Sequence, residues 1–170
     1  VTKSASYEDF LKEQACLIEN TTLDTELLYA GILCNNAYVD SENKENIVGD
    51  PTEGCLLTLA KEKNINPIFV SQNHPKLFEQ PFDSIRKRMS TVHKMESGFT
   101  VYTKGATEQL LPCCTYIKYQ NELLPLTDEL KKQILNTVDT MSNESLRVLG
   151  FAKKIIDEVP TSDDTNLEEN

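Results

Sequence analysis

The side chains suited to holding a ligand are cationic: Arg86, Lys87 and Arg88 in one run, Lys104 beside Gly105, and Arg147. They stand out because the 170-residue chain carries a formal net charge of -10. An anionic ligand must therefore be held by a local basic cluster and not by the net field. These residues fall in short strings: GDPTE at Gly49 to Glu53, FDSIRKRM at Phe82 to Met89, KGAT at Lys104 to Thr107, and SLRVLGFA at Ser145 to Ala152. The first also contributes a carboxylate, Glu53, and the second an aromatic ring, Phe82. Signatures that carry a nucleophile or a metal are missing: there is no GxSxG elbow, no HExxH, no Walker A loop and no GxGxxG.

Composition narrows the classes further. A hydrophobic fraction of 39% over this length suits one soluble domain with its own core, and no apolar run approaches the roughly 18 residues that span a bilayer. The acidic balance argues against nucleic acid as a partner. Cys16, Cys34, Cys55, Cys113 and Cys114 show no CxxC spacing, and with only His74 and His93 beside them they read as reduced thiols and not as a zinc site. The sequons at Asn20 and Asn143 carry no weight without a secretory signal. Asp157, Glu158, Asp163, Asp164, Glu168 and Glu169 crowd the last stretch without a Lys or Arg, which reads as a solvated tail.

The elements that must position the four strings follow from periodicity. Phe10, Leu11, Ala15 and Ile18 recur at helical spacing over Ser6 to Ile18, as do Leu27, Leu28, Ile32 and Leu33 over Asp24 to Cys34. Residues 37–48 read as loop. Asp50 as N-cap, Pro51 at the first helical position and Glu53 at the third predict a helix to about Lys63, with Glu53 placed as a capping-box glutamate. Residues 64–81 read as a short apolar turn of chain followed by loop. Arg86 to Lys94 and Phe99 to Thr103 predict a hairpin about Glu96-Ser97-Gly98, in which Tyr102 and Lys104 share one face and Phe99, Val101 and Thr103 the other. On the same alternation Arg86 and Arg88 face away from Lys87 and are solvated or salt-bridged. A helix over Thr107 to Cys113, strands at Thr115 to Tyr119 and Glu122 to Leu124 about a Gln120-Asn121 turn, a helix capped by Thr127 reaching Met141, and a strand from Leu146 to Ile156 complete the chain. Helices and antiparallel hairpins mix without βαβ alternation, so the fold class is α+β, an antiparallel sheet flanked by helices.

In this order and at these separations the four strings resemble the nucleotide-binding domain of P-type cation-transporting ATPases, in the calcium-pump-like branch, over nearly the whole chain. The resemblance implies a nucleotide-binding domain over 1–156 and, over 157–170, an acidic tail or connection toward a phosphorylation domain. It implies an insertion domain whose ends lie close together at a hinge, since the DKTGTLT string that bears the phosphorylated aspartate does not occur here. ATP is then the ligand: Phe82 stacks on adenine, Glu53 accepts from the adenine amino group, Lys104 and Gly105 line the adenosine and phosphate pocket, and Lys87 and Arg147 neutralise the triphosphate. Mg²⁺ would be bound mainly outside this chain. The phosphorylation and actuator domains of a parent pump would be its partners, the domain itself monomeric, at the cytoplasmic face of a membrane it does not touch, and catalytically incompetent alone. Calcium is the cation implied, and some calcium pumps carry an arginine where this chain has Ser84. The competing reading from composition is an acidic protein-interaction module in which the basic strand and the tail engage a partner. A freestanding phosphohydrolase or kinase needs a pocket nucleophile or carboxylate that no residue supplies.

Overall fold

The computed structural model describes residues 25–96, 98–119, 122–161 and 167–168. The helix expected over Ser6 to Ile18, with Cys16 and the Asn20 sequon, lies outside the described residues, as do Ser97, Gln120, Asn121, Asp163, Asp164 and Glu169.

Helix α1 (Thr25–Leu33) forms where its apolar spacing placed it and buries Leu28, Ala30, Ile32 and Leu33. Helix α2 (Pro51–Glu62) begins by the chemistry legible in GDPTE: the Asp50 carboxylate accepts the Thr52 N–H at 2.8 Å, and Pro51 occupies the first turn where its missing N–H costs nothing. That bond, above all, holds the Asp50 carboxyl below the usual carboxylate range. Gly49 precedes the cap with φ 134°, and a Cβ there would lie 2.7 Å from Ala37, so only glycine lets the two stretches of backbone cross.

Two stretches read as loop are ordered elements. Residues 64–81 contain helix α3 (Pro67–Asn73) and most of strand β3 (Lys76–Asp83). Asn66 caps α3 by accepting the N–H groups of Ile68 at 3.0 Å and Phe69 at 3.3 Å, with Pro67 next, the same start signal as Asp50-Pro51. Strand β3 tolerates Pro81 because it is an edge strand, and the proline falls where the register slips between Gln80 and Asp83. Within residues 37–48, the short strands β1 (Tyr38–Val39) and β2 (Ile47–Val48) pair with each other.

The main sheet is antiparallel in the order β3, β4 (Arg88–Met95), β5 (Gly98–Gly105) and β8 (Gly150–Ile156). The last strand starts at Gly150, later than the Leu146 expected, and Ser145 holds a left-handed φ of 63° where helix α5 (Asp128–Asn143) ends. Strand β4 likewise starts at Arg88, so Arg86 and Lys87 belong to a turn and the strand alternation expected of them does not apply. The stretch after β5 is a single turn of helix, α4 (Thr107–Leu110), tightening to a 3₁₀ turn at Leu111–Cys113. Strands β6 (Tyr116–Tyr119) and β7 (Glu122–Pro125) form a separate ribbon.

Alternation sorts the sheet into two faces. Met89, Tyr102 and Phe151 meet α1, α2 and α3 through Leu33, Leu57, Ala60 and Val70, whereas Val92 and Val101 face the other way with Phe78, Phe99 and Leu167. Leu167 and Glu168 are buried, which corrects the expectation of a wholly solvated tail at those two positions. The result is an α+β domain with antiparallel sheets flanked by helices. Leu57, 2% exposed, joins α2 to the sheet; Leu57→Ala is expected to lower the unfolding free energy by about 2–5 kcal/mol in urea denaturation.

Candidate functional site

The end of β5 carries a buried lysine. Lys104 is 6% exposed, and its Nζ donates to Glu53 Oε1 at 2.7 Å. Direct cross-strand pairing sets Met89 on one side of Lys104 and Phe151 on the other, so the ammonium rises from an apolar floor toward the first turn of α2. The second carboxylate oxygen of Glu53 accepts the Asn36 N–H at 3.3 Å, and the Glu53 carbonyl accepts Asn35 Nδ2 at 3.0 Å. Asn35 in turn donates to the Gly31 carbonyl at 2.9 Å and accepts the Ala37 N–H at 2.8 Å, tying the end of α1 to the start of α2. Glu53 therefore makes no reach-back to its own helix cap; its carboxylate turns toward Lys104 and Asn36. An ammonium has three donors and each carboxylate oxygen two lone pairs, so both groups keep capacity for a further partner.

A neighbouring set extends the network. Lys76 Nζ donates to Glu79 Oε2 at 2.6 Å, to Asn36 Oδ1 at 2.7 Å and to the Asn35 carbonyl at 3.2 Å, and Asn36 Nδ2 donates to Glu79 Oε1 at 3.1 Å. Burial alone would push the Glu79 carboxyl up, but the bonds from Lys76 and Asn36 outweigh it and hold it below the ordinary range.

The FDSIRKRM string forms the β3–β4 turn. The Asp83 carboxylate accepts the N–H groups of Ile85 at 2.9 Å and Arg86 at 2.8 Å, its carbonyl accepts the Lys87 N–H at 2.6 Å, and Lys87 sits at a left-handed φ of 51°. Such a conformation in a non-glycine residue costs of order 1 kcal/mol and persists where the surroundings dictate it. Here the Lys87 carbonyl accepts the Ala106 N–H at 2.9 Å, and a Cβ on Gly105 would lie 2.5 Å from that carbonyl and from Arg88 Cβ. The close backbone approach that Gly105 permits is thus made by the protein's own chain. Arg88 Nη1 adds a bond to the Gln109 carbonyl at 2.9 Å. Phe82 is 61% exposed and contributes its ring to no core cluster.

The SLRVLGFA string arrives on the other side of β5, with Gly150 opposite Gly105 and Phe151 opposite Lys104. Arg147, within the string but ahead of strand β8, is exposed and lines a cavity of about 530 Å³ together with Pro51, Thr52, Cys55, Leu149 and Phe151. Its charge is among the influences that lower the Asp50 carboxyl, after the bonds from Thr52. All four strings thus converge on one end of the sheet.

A family model described as P-type ATPase, cytoplasmic domain N, matches residues 25–170. The chain belongs to this family of N domains. A calcium-transporting ATPase of Bacillus cereus is 39% identical over 158 residues, covering 91% of this chain and 17% of the relative. A calcium-transporting ATPase of Listeria monocytogenes is 33% identical over 131 residues, 77% of this chain and 15% of the relative, and one of Lactococcus lactis is 31% identical over 162 residues, 94% and 18%. The chain therefore spans about one-sixth of the length of the curated relatives it matches. No helix among the described residues of this N domain is long and apolar enough to cross a membrane.

Within the N domain, the residues singled out from sequence are not equally joined. Glu53 and Lys104 touch, Gly105 and Lys87 meet through the backbone, and Arg147 stands by the start of α2. Phe82 and Lys87 are exposed at the β3–β4 turn, and the cavity beside Arg147 takes in neither of them, nor Glu53 or Lys104. Sequence reasoning missed Asn35, Asn36, Lys76 and Glu79; the NN pair after an apolar helix was the one available signal, since Lys76 and Glu79 lie in a stretch read as loop. Gly105→Ala must push the Lys87–Arg88 backbone aside, and a loss of about 1–3 kcal/mol in thermal or urea unfolding is expected.

Proposed function

We propose that this N domain binds ATP, holds its adenosine end, and presents the γ-phosphate to an aspartate carried by another domain of a P-type pump. The single observation that carries the reading is the pairing of the buried Lys104 with the half-buried Glu53 at the point where all four strings meet. A carboxylate that still has lone pairs suits the adenine amino group, which is a donor. An ammonium with two donors to spare suits the sugar and phosphate oxygens. Phe82 offers a solvent-facing ring to the flat face of the base, where stacking is worth about 1–3 kcal/mol. Lys87 and Arg147, exposed on two sides of the same sheet end, supply charge for the phosphates, Arg147 through a fork that binds oxygens in pairs.

Transfer of the phosphoryl group depends on in-line placement and charge neutralisation, so the domain's part is positioning. Among the described residues no group of three or more His, Cys, Asp or Glu gathers as a metal site, and in this reading Mg²⁺ is held mainly by the phosphorylation domain. The names of several relatives favour calcium as the cation of the parent pump, which would sit in a membrane with this domain on the cytoplasmic side as a monomeric module.

The test is an NMR titration of the chain with ATP. Amide shifts at Glu53, Phe82, Lys104 and Gly105 are expected, with a dissociation constant about tenfold weaker for Lys104→Ala and no phosphate release by the chain alone. Absence of shifts at all four positions would overturn the reading, and turnover abolished by Lys104→Ala would overturn the division of labour.

A further inference from the structure

The turn that carries Phe82 and Lys87 is not fixed by the sheet alone. Register slips between Gln80 and Asp83, so the ladder is broken where the turn begins. On the face of the sheet away from Lys104, Glu168 closes the gap. Its side chain is 1% exposed, and Oε2 lies 2.5 Å from both Arg86 Nη1 and Arg88 Nε. Oε1 accepts the Ser90 hydroxyl at 2.9 Å, and Ser90 lies 2.8 Å from the Thr103 hydroxyl on the next strand. Arg86 Nη2 also donates to the Pro81 carbonyl at 2.8 Å. One carboxylate from the end of the chain thus brackets the turn: through Arg86 it holds residue 81, just before Phe82, and through Arg88 the residue just after Lys87.

We propose that Glu168 is a positioning residue for nucleotide binding, acting through Arg86 and Arg88 to hold Phe82 and Lys87 in place without touching the ligand. This rests on the ATP-binding reading above. The physics is that of two guanidiniums set close together in a largely buried site: with the carboxylate they form a compensated cluster, and without it they repel and leave unpaired charge. Burial by itself would raise the Glu168 carboxyl, yet its interactions with Arg86, Arg88 and Ser90 prevail and hold it below the usual carboxylate range. The same cluster removes Arg86 and Arg88 from the set available to phosphate, leaving Lys87 as the turn's cation for the ligand. Leu167, packed against Val92 and Val101, contributes apolar contact beside Glu168 and provides a matched control.

The experiment compares Glu168→Gln, Glu168→Asp and Leu167→Ala in the whole chain. Without nucleotide, Glu168→Gln is expected to shift or broaden the Phe82 to Lys87 amides, and Leu167→Ala to leave them in place while lowering stability. With ATP, Glu168→Gln is expected to weaken binding about tenfold, Glu168→Asp to restore it to within about threefold of the native chain, and Leu167→Ala to bind as the native chain does. Native affinity in Glu168→Gln, or equal losses in Glu168→Gln and Leu167→Ala, overturns the proposal while ATP binding stands. Should Glu168→Gln not fold, Glu168→Asp with the turn's amides unmoved and weaker ATP binding overturns it too. A native chain that binds no ATP overturns the function proposed above instead, and the nucleotide-free amide shifts still report whether Glu168 fixes the turn.

Discussion

A cation buried at the end of a strand can persist only if something compensates it, and in this domain Glu53 does so for Lys104. The requirement reaches far into the chain. Lys104 must lie on the helix-facing side of β5, α2 must begin where its first turn can meet the ammonium, and the start of α2 depends on the Asp50 cap and on Gly49 crossing Ala37. Asn35 and Asn36 then bind the end of α1 to the same glutamate. An ion pair so placed gives little net stability against apolar side chains of the same volume, and breaking one partner is costly. Its value lies in fixing where charge sits at the end of the sheet on which the four strings converge.

The acidic composition makes that placement matter more. With a net charge of -10, the domain as a whole repels anions, and the polyphosphate binding proposed for it would depend on short-range contacts from a few cations. The sheet separates them by face and by task. Lys104 is held by Glu53 against α2, Lys76 by Glu79 and Asn36 beside it, and Arg86 and Arg88 by Glu168 on the opposite face. The exposed Lys87 and Arg147 remain at the rim. The carboxylates order the cations around them.

Elements whose signals are local were legible in the letters: the Asp50-Pro51 helix start, the hairpin about Gly98, the faces of Tyr102 and Val101, and the Thr127 cap all appear as read. The same grammar was present at Asn66-Pro67 and went unread because three prolines nearby suggested loop, and β3 was hidden by Pro81, which an edge strand accepts where its register slips. At the site, pattern identified Glu53 and Lys104 but could not show that they touch, since 51 residues of chain separate them. Glu168 was beyond reach for a related reason: an acidic, low-complexity tail gives no local sign that one glutamate among several will be drawn back onto the sheet by two arginines. At Gly105 the structure adds a close approach of the chain to itself, since a Cβ there would lie 2.5 Å from the Lys87 carbonyl, a contact between strings that no local pattern shows.

The central claim, that Glu53 and Lys104 act as one compensated unit joining α2 to β5, is tested most directly by a double-mutant cycle in urea unfolding of the nucleotide-free chain. Glu53→Gln, Lys104→Met and the pair together are compared with the native protein. The predicted result is a coupling free energy of about 1–3 kcal/mol, with the double variant losing less than the two single losses added. Additivity to within about 0.5 kcal/mol would contradict the account.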